Sequence, residues 1–89
     1  MARYNVKYTI KTRNIINNTD KSSFKRITGW IEKNLVDCEV PRALGFPLVE
    51  DQSEKWLYCV ENYRIIAHID DERFILLIID ITNRSTVYN

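Results

Sequence analysis

Five residues in the second half of this 89-residue chain have side chains that could do chemistry: Lys55, Arg64, His68, Arg84 and Tyr88. The two arginines carry planar forks that suit a phosphate. Arg64 could equally sit in an ion pair with a carboxylate such as Glu61. A phenol with an ordinary pKa of ~10 is a slow base at neutral pH, so Tyr88 reads as well as a packed anchor. Lys55 closes a polar turn that also holds Glu50, Asp51 and Glu54. His68 is the only histidine. Residues 64 and 68 would share one face of a strand but lie ~13 Å apart at ~3.3 Å per residue. They can serve one extended groove, but hardly one reacting atom, and a structural or solvent-facing histidine is the simpler reading. There is no phosphate-binding loop, no G-x-S-x-G and no cluster of metal ligands, so no cofactor or metal is expected.

The elements that must position these side chains lie in the stretch from Tyr63 to Tyr88. Tyr63 to Ile69 holds four β-branched or aromatic residues, and Asp70-Asp71-Glu72 breaks the run. Phe74 to Ile81 is seven large apolar residues interrupted only by Asp80. Apolar runs of this length, rich in Ile and bounded by turn residues, read as strands over 63–69 and 73–81. Trp56 to Val60 reads as a shorter strand, and Glu61-Asn62 as a hairpin gap in which Asn tolerates positive φ.

Composition bounds the rest. The 45% apolar content fits one domain over residues 1–89 with a single core. The longest uninterrupted apolar run, Phe74 to Ile79, is far short of a membrane span, and the strand-like, polar N-terminus does not read as a signal peptide. Cys38 and Cys59 are most simply free thiols in a reducing cytoplasm, and cytoplasmic location is the expectation. Net charge is only +1, but it is lopsided. Residues 1–34 carry eight Lys/Arg against Asp20 and Glu32, or +6; residues 35–89 carry five against ten, or −5. A basic first third is a footprint for RNA or for an acidic partner, or simply a solvated helix face.

In chain order, Tyr4, Val6, Tyr8 and Ile10 alternate with polar residues, which is a half-buried strand. Residues 11–19 are rich in Asn and Thr, weak helix formers. A helix over 20–36 is clearer. Thr19 or Asp20 offers an N-cap, and Phe24, Ile27, Ile31 and Leu35 recur on one face. Gly29 weakens it by ~1 kcal/mol, which close approach to a neighbouring helix or to the sheet would explain. Pro41 to Leu48 is a loop by its two prolines and its glycine.

Three segments together resemble the RelE/ParE superfamily of toxins from bacterial type II toxin–antitoxin pairs. They are Pro41-Arg42-x-x-Gly45-x-Pro47-Leu48, Tyr63-Arg64-Ile65-Ile66, and Arg84-x-x-x-Tyr88, in the family's order and spacing. The resemblance implies an α+β fold of order β-α-α-β-β-β. It would have a small antiparallel sheet, two N-terminal helices on one face, and a helix over the ambiguous 11–19. It also implies a ribosome-dependent endoribonuclease that cuts mRNA by attack of a ribose 2′-hydroxyl on the adjacent phosphate. Arg64 and Arg84 would hold phosphate, Tyr88 would stack on a base or move a proton, and Lys55 would add a contact to RNA. Arg64, Arg84 and Tyr88 are thus the implied catalytic set. The sequence departs from the family where W-R-x-R-V is replaced by Trp56-Leu57-Tyr58-Cys59-Val60, and G-H-R by Thr82-Asn83-Arg84. The resemblance therefore leaves two other readings open. One is a ParE-like inhibitor of DNA gyrase without catalysis, and the other is a degenerate toxin that only binds its antitoxin.

The implied partners are a small acidic antitoxin, the ribosome and mRNA. Strict alternation turns Phe74, Leu76 and Ile78 one way and Ile75, Leu77, Ile79 and Ile81 the other. Only one set can face the helices. The other set calls for a cover: the tail, loop 41–50, the antitoxin, or a dimer partner in its absence.

Overall fold

The computed structural model describes residues 2–48 and 55–83. Its elements run β1 (Asn5–Tyr8), α1 (Ile10–Asn17), α2 (Lys21–Asn34), a 3-10 turn (Pro41–Ala43), β2 (Phe46–Pro47), β3 (Lys55–Val60), β4 (Tyr63–Asp70) and β5 (Ile75–Asn83). This is the expected α+β order with one addition, the two-residue β2. The sheet has five strands in the order β1-β5-β4-β3-β2. β2, β3, β4 and β5 pair antiparallel, but β1 runs parallel to β5. The sheet is therefore mixed rather than antiparallel. The two helices between β1 and the meander supply the crossover that a parallel pair requires.

Each helix has an identifiable cause. α1 forms although its composition resists helix. Thr9 caps it by accepting from the Thr12 N–H, and the fully buried Thr12 hydroxyl donates to the Ile78 carbonyl of β5 at 3.0 Å. Tertiary anchoring and burial of Ile16 thus override propensity. α2, the longest helix, starts at Asp20, whose carboxylate accepts from the Ser23 N–H. Its buried stripe is Ser23, Ile27, Ile31 and Leu35, a strict spacing of four. Phe24 lies off that stripe and is 37% exposed, not in the core as expected. Gly29 is exposed, and an added Cβ there would meet open space, so the expected close approach is absent.

The core lies between α2 and the helix-facing side of the sheet. Ile27, Ile31 and Leu35 join Tyr58, Val60, Ile65, Ala67, Ile69, Leu76, Ile78 and Ile81 in one buried cluster. Burial of each such large side chain is worth ~1.5–3 kcal/mol. The β3–β4 turn falls at Glu61-Asn62, as expected, but the positive φ belongs to Glu61 (54°), not to Asn62. The Glu61 carboxylate is 2.6 Å from Arg26 of α2.

The P-R-x-x-G segment is stitched to the sheet. The buried Tyr58 hydroxyl donates to the Pro41 carbonyl at 2.5 Å, and Trp56 Nε1 donates to the Leu44 carbonyl at 2.6 Å. Arg42 makes two 3.0 Å bonds to Asp71 in the β4–β5 turn, and the Tyr4 hydroxyl donates to the same carboxylate at 2.6 Å. Gly45 has φ +79°, and a Cβ would lie 2.3 Å from the Leu57 carbonyl oxygen, so only glycine fits.

Candidate functional site

The face of the sheet turned away from the helices carries Lys55, Arg64 and His68, the candidate residues that the structure describes. On β4, Ile65, Ala67 and Ile69 are buried against the helices, so Arg64, Ile66, His68 and Asp70 alternate onto the opposite, open face. Cross-strand register then groups the side chains into rows. One row is Cys59 on β3, Arg64 on β4 and Thr82 on β5. The next is Leu57, Ile66 and Asp80; the third is Lys55, His68 and Leu77.

This arrangement separates the predicted cations. Lys55 is the first residue of β3, not part of the preceding turn, and it lies opposite His68. Arg64 is four residues earlier on β4, ~13 Å away along the strand. The structure thus joins Lys55 and His68, and holds Arg64 apart from both. Arg84 and Tyr88 lie outside the described residues.

A bulge sets which apolar residues reach this face. The β4–β5 register shifts between Ile66 and Ala67, which pair with Asp80 and Ile78 and leave Ile79 as the extra residue. Leu76, Ile78 and Ile81 are consequently the buried set, while Ile75, Leu77 and Ile79 are half-buried. Ile81 had been expected opposite Leu76 and Ile78. Phe74 is in the turn rather than the strand, at φ 56°, with its ring edge-on to Tyr4. Strict alternation fails because a bulge is one residue long and leaves no mark in the apolar run. The same shift fixes Asp80 in the middle row, diagonal to Arg64, a placement that sequence reasoning missed. The only signal was that Asp80 breaks an otherwise unbroken apolar run.

Electrostatics distinguishes structural groups from available ones. The Arg42 guanidinium, and then the Tyr4 hydroxyl, hold the Asp71 carboxyl below its usual range. The hydrogen bond to Asp71, with burial, pushes the Tyr4 phenol up. Burial raises Tyr58 far above the ordinary phenol range and raises the Cys38 thiol as well. These four groups are tied up in the fold. Cys38 and Cys59 are both free thiols, and Cys59 is exposed.

A second concave surface lies on the helical side. Tyr8, Arg13, Ile16, Phe24, Thr28 and Glu32 line a groove of about 410 Å³ between α1 and α2. Among the described residues no group of three or more His, Cys, Asp or Glu could hold a metal ion, and no helix is long and apolar enough to cross a membrane.

Comparison with known proteins places this geometry. The family model for the ParE toxin of the type II toxin–antitoxin system parDE matches residues 8–88. No curated protein matches. Among solved structures, a chain of the RelBE2 toxin–antitoxin complex from Mycobacterium tuberculosis superposes with a TM-score of 0.82 at 21% identity. That match covers 96% of this chain and 95% of the other. A chain of the archaeal RelE–RelB complex from Pyrococcus horikoshii OT3 gives 0.68 at 16% identity, over 92% and 96%. At these identities the two structures show the shared fold.

Proposed function

Because this chain belongs to the ParE toxin family of type II toxin–antitoxin systems, we propose that it arrests growth through the open sheet face, by cutting mRNA on the ribosome. The observation that carries this reading is the position of Arg64. It stands on the open face opposite Thr82, at the end of β5 that leads directly into Arg84. A guanidinium fork there suits the charge that develops on a phosphate under attack by the neighbouring 2′-hydroxyl, and Arg84 would add a second. Tyr88, four residues on, would stack on a base or move a proton. Lys55 and His68, one groove-length away, would track the RNA backbone.

A second reading has its own support. Leu57 and Cys59 occupy the open face where the family's usual arginines would stand, and Asp80 adds a carboxylate between the cations. A face so depleted of positive charge suits a protein surface better than RNA, which favours binding DNA gyrase without catalysis. One preparation decides between the two readings, assayed for cleavage of mRNA on programmed ribosomes and for gyrase supercoiling. Cut mRNA with normal supercoiling supports the nuclease; intact mRNA with blocked supercoiling replaces it with the gyrase reading.

The antitoxin we place in the α1–α2 groove. Phe24 offers it an apolar anchor, and Lys11, Arg13, Lys21 and Lys25 on these helices suit an acidic chain and speed its arrival at low salt. Without it, a second copy would cover the same groove.

A further inference from the structure

The proposed cleavage needs a base for the 2′-hydroxyl. We infer, on the nuclease reading, that Asp80 is that base. Of the described titratable groups on the open face, Lys7, Lys55, His68 and Asp70 stand two or more rows from Arg64. Asp70 is also engaged in the β4–β5 turn, where it accepts from the Glu72 and Arg73 N–H groups. Cys59 and Asp80 remain beside Arg64, and only Asp80 is a carboxylate. Asp80 pairs with Ile66 and Arg64 with Thr82, which makes Arg64 and Asp80 diagonal neighbours on one face. Such neighbours lie ~7–8 Å apart, within reach of long side chains. A phosphate held in the Arg64 fork would therefore bring the adjoining ribose to the carboxylate.

The carboxylate is also oriented. Lys11 Nζ lies 3.5 Å from Asp80 Oδ1, and the Ile81 N–H donates to the same oxygen at 2.9 Å. Oδ2 makes no hydrogen bond or ion pair among the described residues. The ion pair does not account for the aspartate. Lys11 is 66% exposed, and a pair with so wet a partner contributes little to stability. Asp is moreover among the poorest strand formers, and here it interrupts an apolar strand.

In the step, Asp80 Oδ2 takes the proton of the 2′-hydroxyl as the 2′ oxygen bonds to the adjacent phosphorus. Arg64 balances the charge on the five-coordinate phosphorus. The bond from phosphorus to the 5′ oxygen breaks, and that oxygen leaves with a proton given by water. The products are a 2′,3′-cyclic phosphate and a 5′-hydroxyl end.

The test is single-turnover cleavage of mRNA on programmed ribosomes by wild type, Asp80→Asn and Asp80→Ala, with affinity for the same ribosomes measured alongside. Asp80 is part-exposed and its one contact with a helix is the solvent-exposed Lys11 of α1, so both variants should keep the fold. Loss of a general base lowers the rate by roughly 100-fold or more, while affinity stays unchanged. Added formate restores the rate of Asp80→Ala in proportion to its concentration, which no repair of a structural defect would do. An Asp80→Asn protein that cleaves at the wild-type rate, or a slow Asp80→Ala that formate leaves slow, overturns the assignment of the base alone. A wild type that leaves mRNA intact overturns the nuclease reading, and the base with it.

Discussion

Replacing Tyr58 with phenylalanine tests whether the P-R-x-x-G segment is a structural clamp or part of the toxic face. Tyr58 is fully buried, and its hydroxyl donates to the Pro41 carbonyl at 2.5 Å. Tyr58→Phe keeps the ring and its contact with Trp30, 5.8 Å between centroids, and removes one oxygen. The buried Pro41 carbonyl then loses this donor. An acceptor stranded in this way costs ~1–3 kcal/mol. For a domain of this size, ~2 kcal/mol corresponds to roughly 8–16 °C in Tm. The comparison is Arg42→Ala. Its ion pair with Asp71 has better geometry, but the two side chains are 38% and 45% exposed, so its loss should cost no more than ~1 kcal/mol. Thermal melts of the three proteins at one pH, with growth inhibition scored well below the lowest Tm, make the assay. Tyr58→Phe should melt lowest and remain fully toxic. An Arg42→Ala protein that melts below Tyr58→Phe, or a stable Tyr58→Phe that has lost toxicity, would refute the reasoning.

Arg64→Ala and Arg84→Ala should each lower growth inhibition and cleavage by 10-fold or more without unfolding the protein, since one lost phosphate donor typically costs ~3 kcal/mol; equal toxicity of wild type and the double mutant contradicts the roles. Gly29→Ala should stabilise α2 by ~1 kcal/mol in denaturant titration, because its Cβ meets open space. Gly45→Ala should instead destabilise by ~2 kcal/mol or more, because its Cβ would press on the Leu57 carbonyl. Asp71 has its carboxyl lowered in the folded state by Arg42 and then Tyr4. Its contribution is therefore present above the unfolded value of ~3.9 and lost as pH falls through the lower folded value. Melts of wild type and Asp71→Asn should differ at pH 6–7 and converge in that acid window.

What the sequence revealed depended on the range of the interaction. α2, β3, β4 and β5 are spelled out by local periodicity, and the β3–β4 turn by two residues between apolar runs. β1 was legible as a strand but not as a parallel one, because its partner β5 is some seventy residues away and nothing in Asn5–Tyr8 names it. β2 is two residues long, too short for any period, and exists only through pairing with Trp56 and Leu57. The core position of Ser23 and the outward lean of Phe24 follow from how α2 lies on the sheet, which periodicity over 24, 27 and 31 does not resolve. At the site, Arg64 was visible from its motif. Asp80 was not, because its face depends on the register with β4 and on the bulge at Ile79.

The most direct test of the central claim is the chemistry of mRNA ends recovered from ribosomes after the toxin is expressed without an antitoxin. Cleavage through the open face predicts new 5′-hydroxyl ends within ribosome-bound mRNA for wild type, and their loss in Arg64→Ala. Intact mRNA in cells whose growth has stopped, or the same ends at undiminished level in Arg64→Ala, would contradict it.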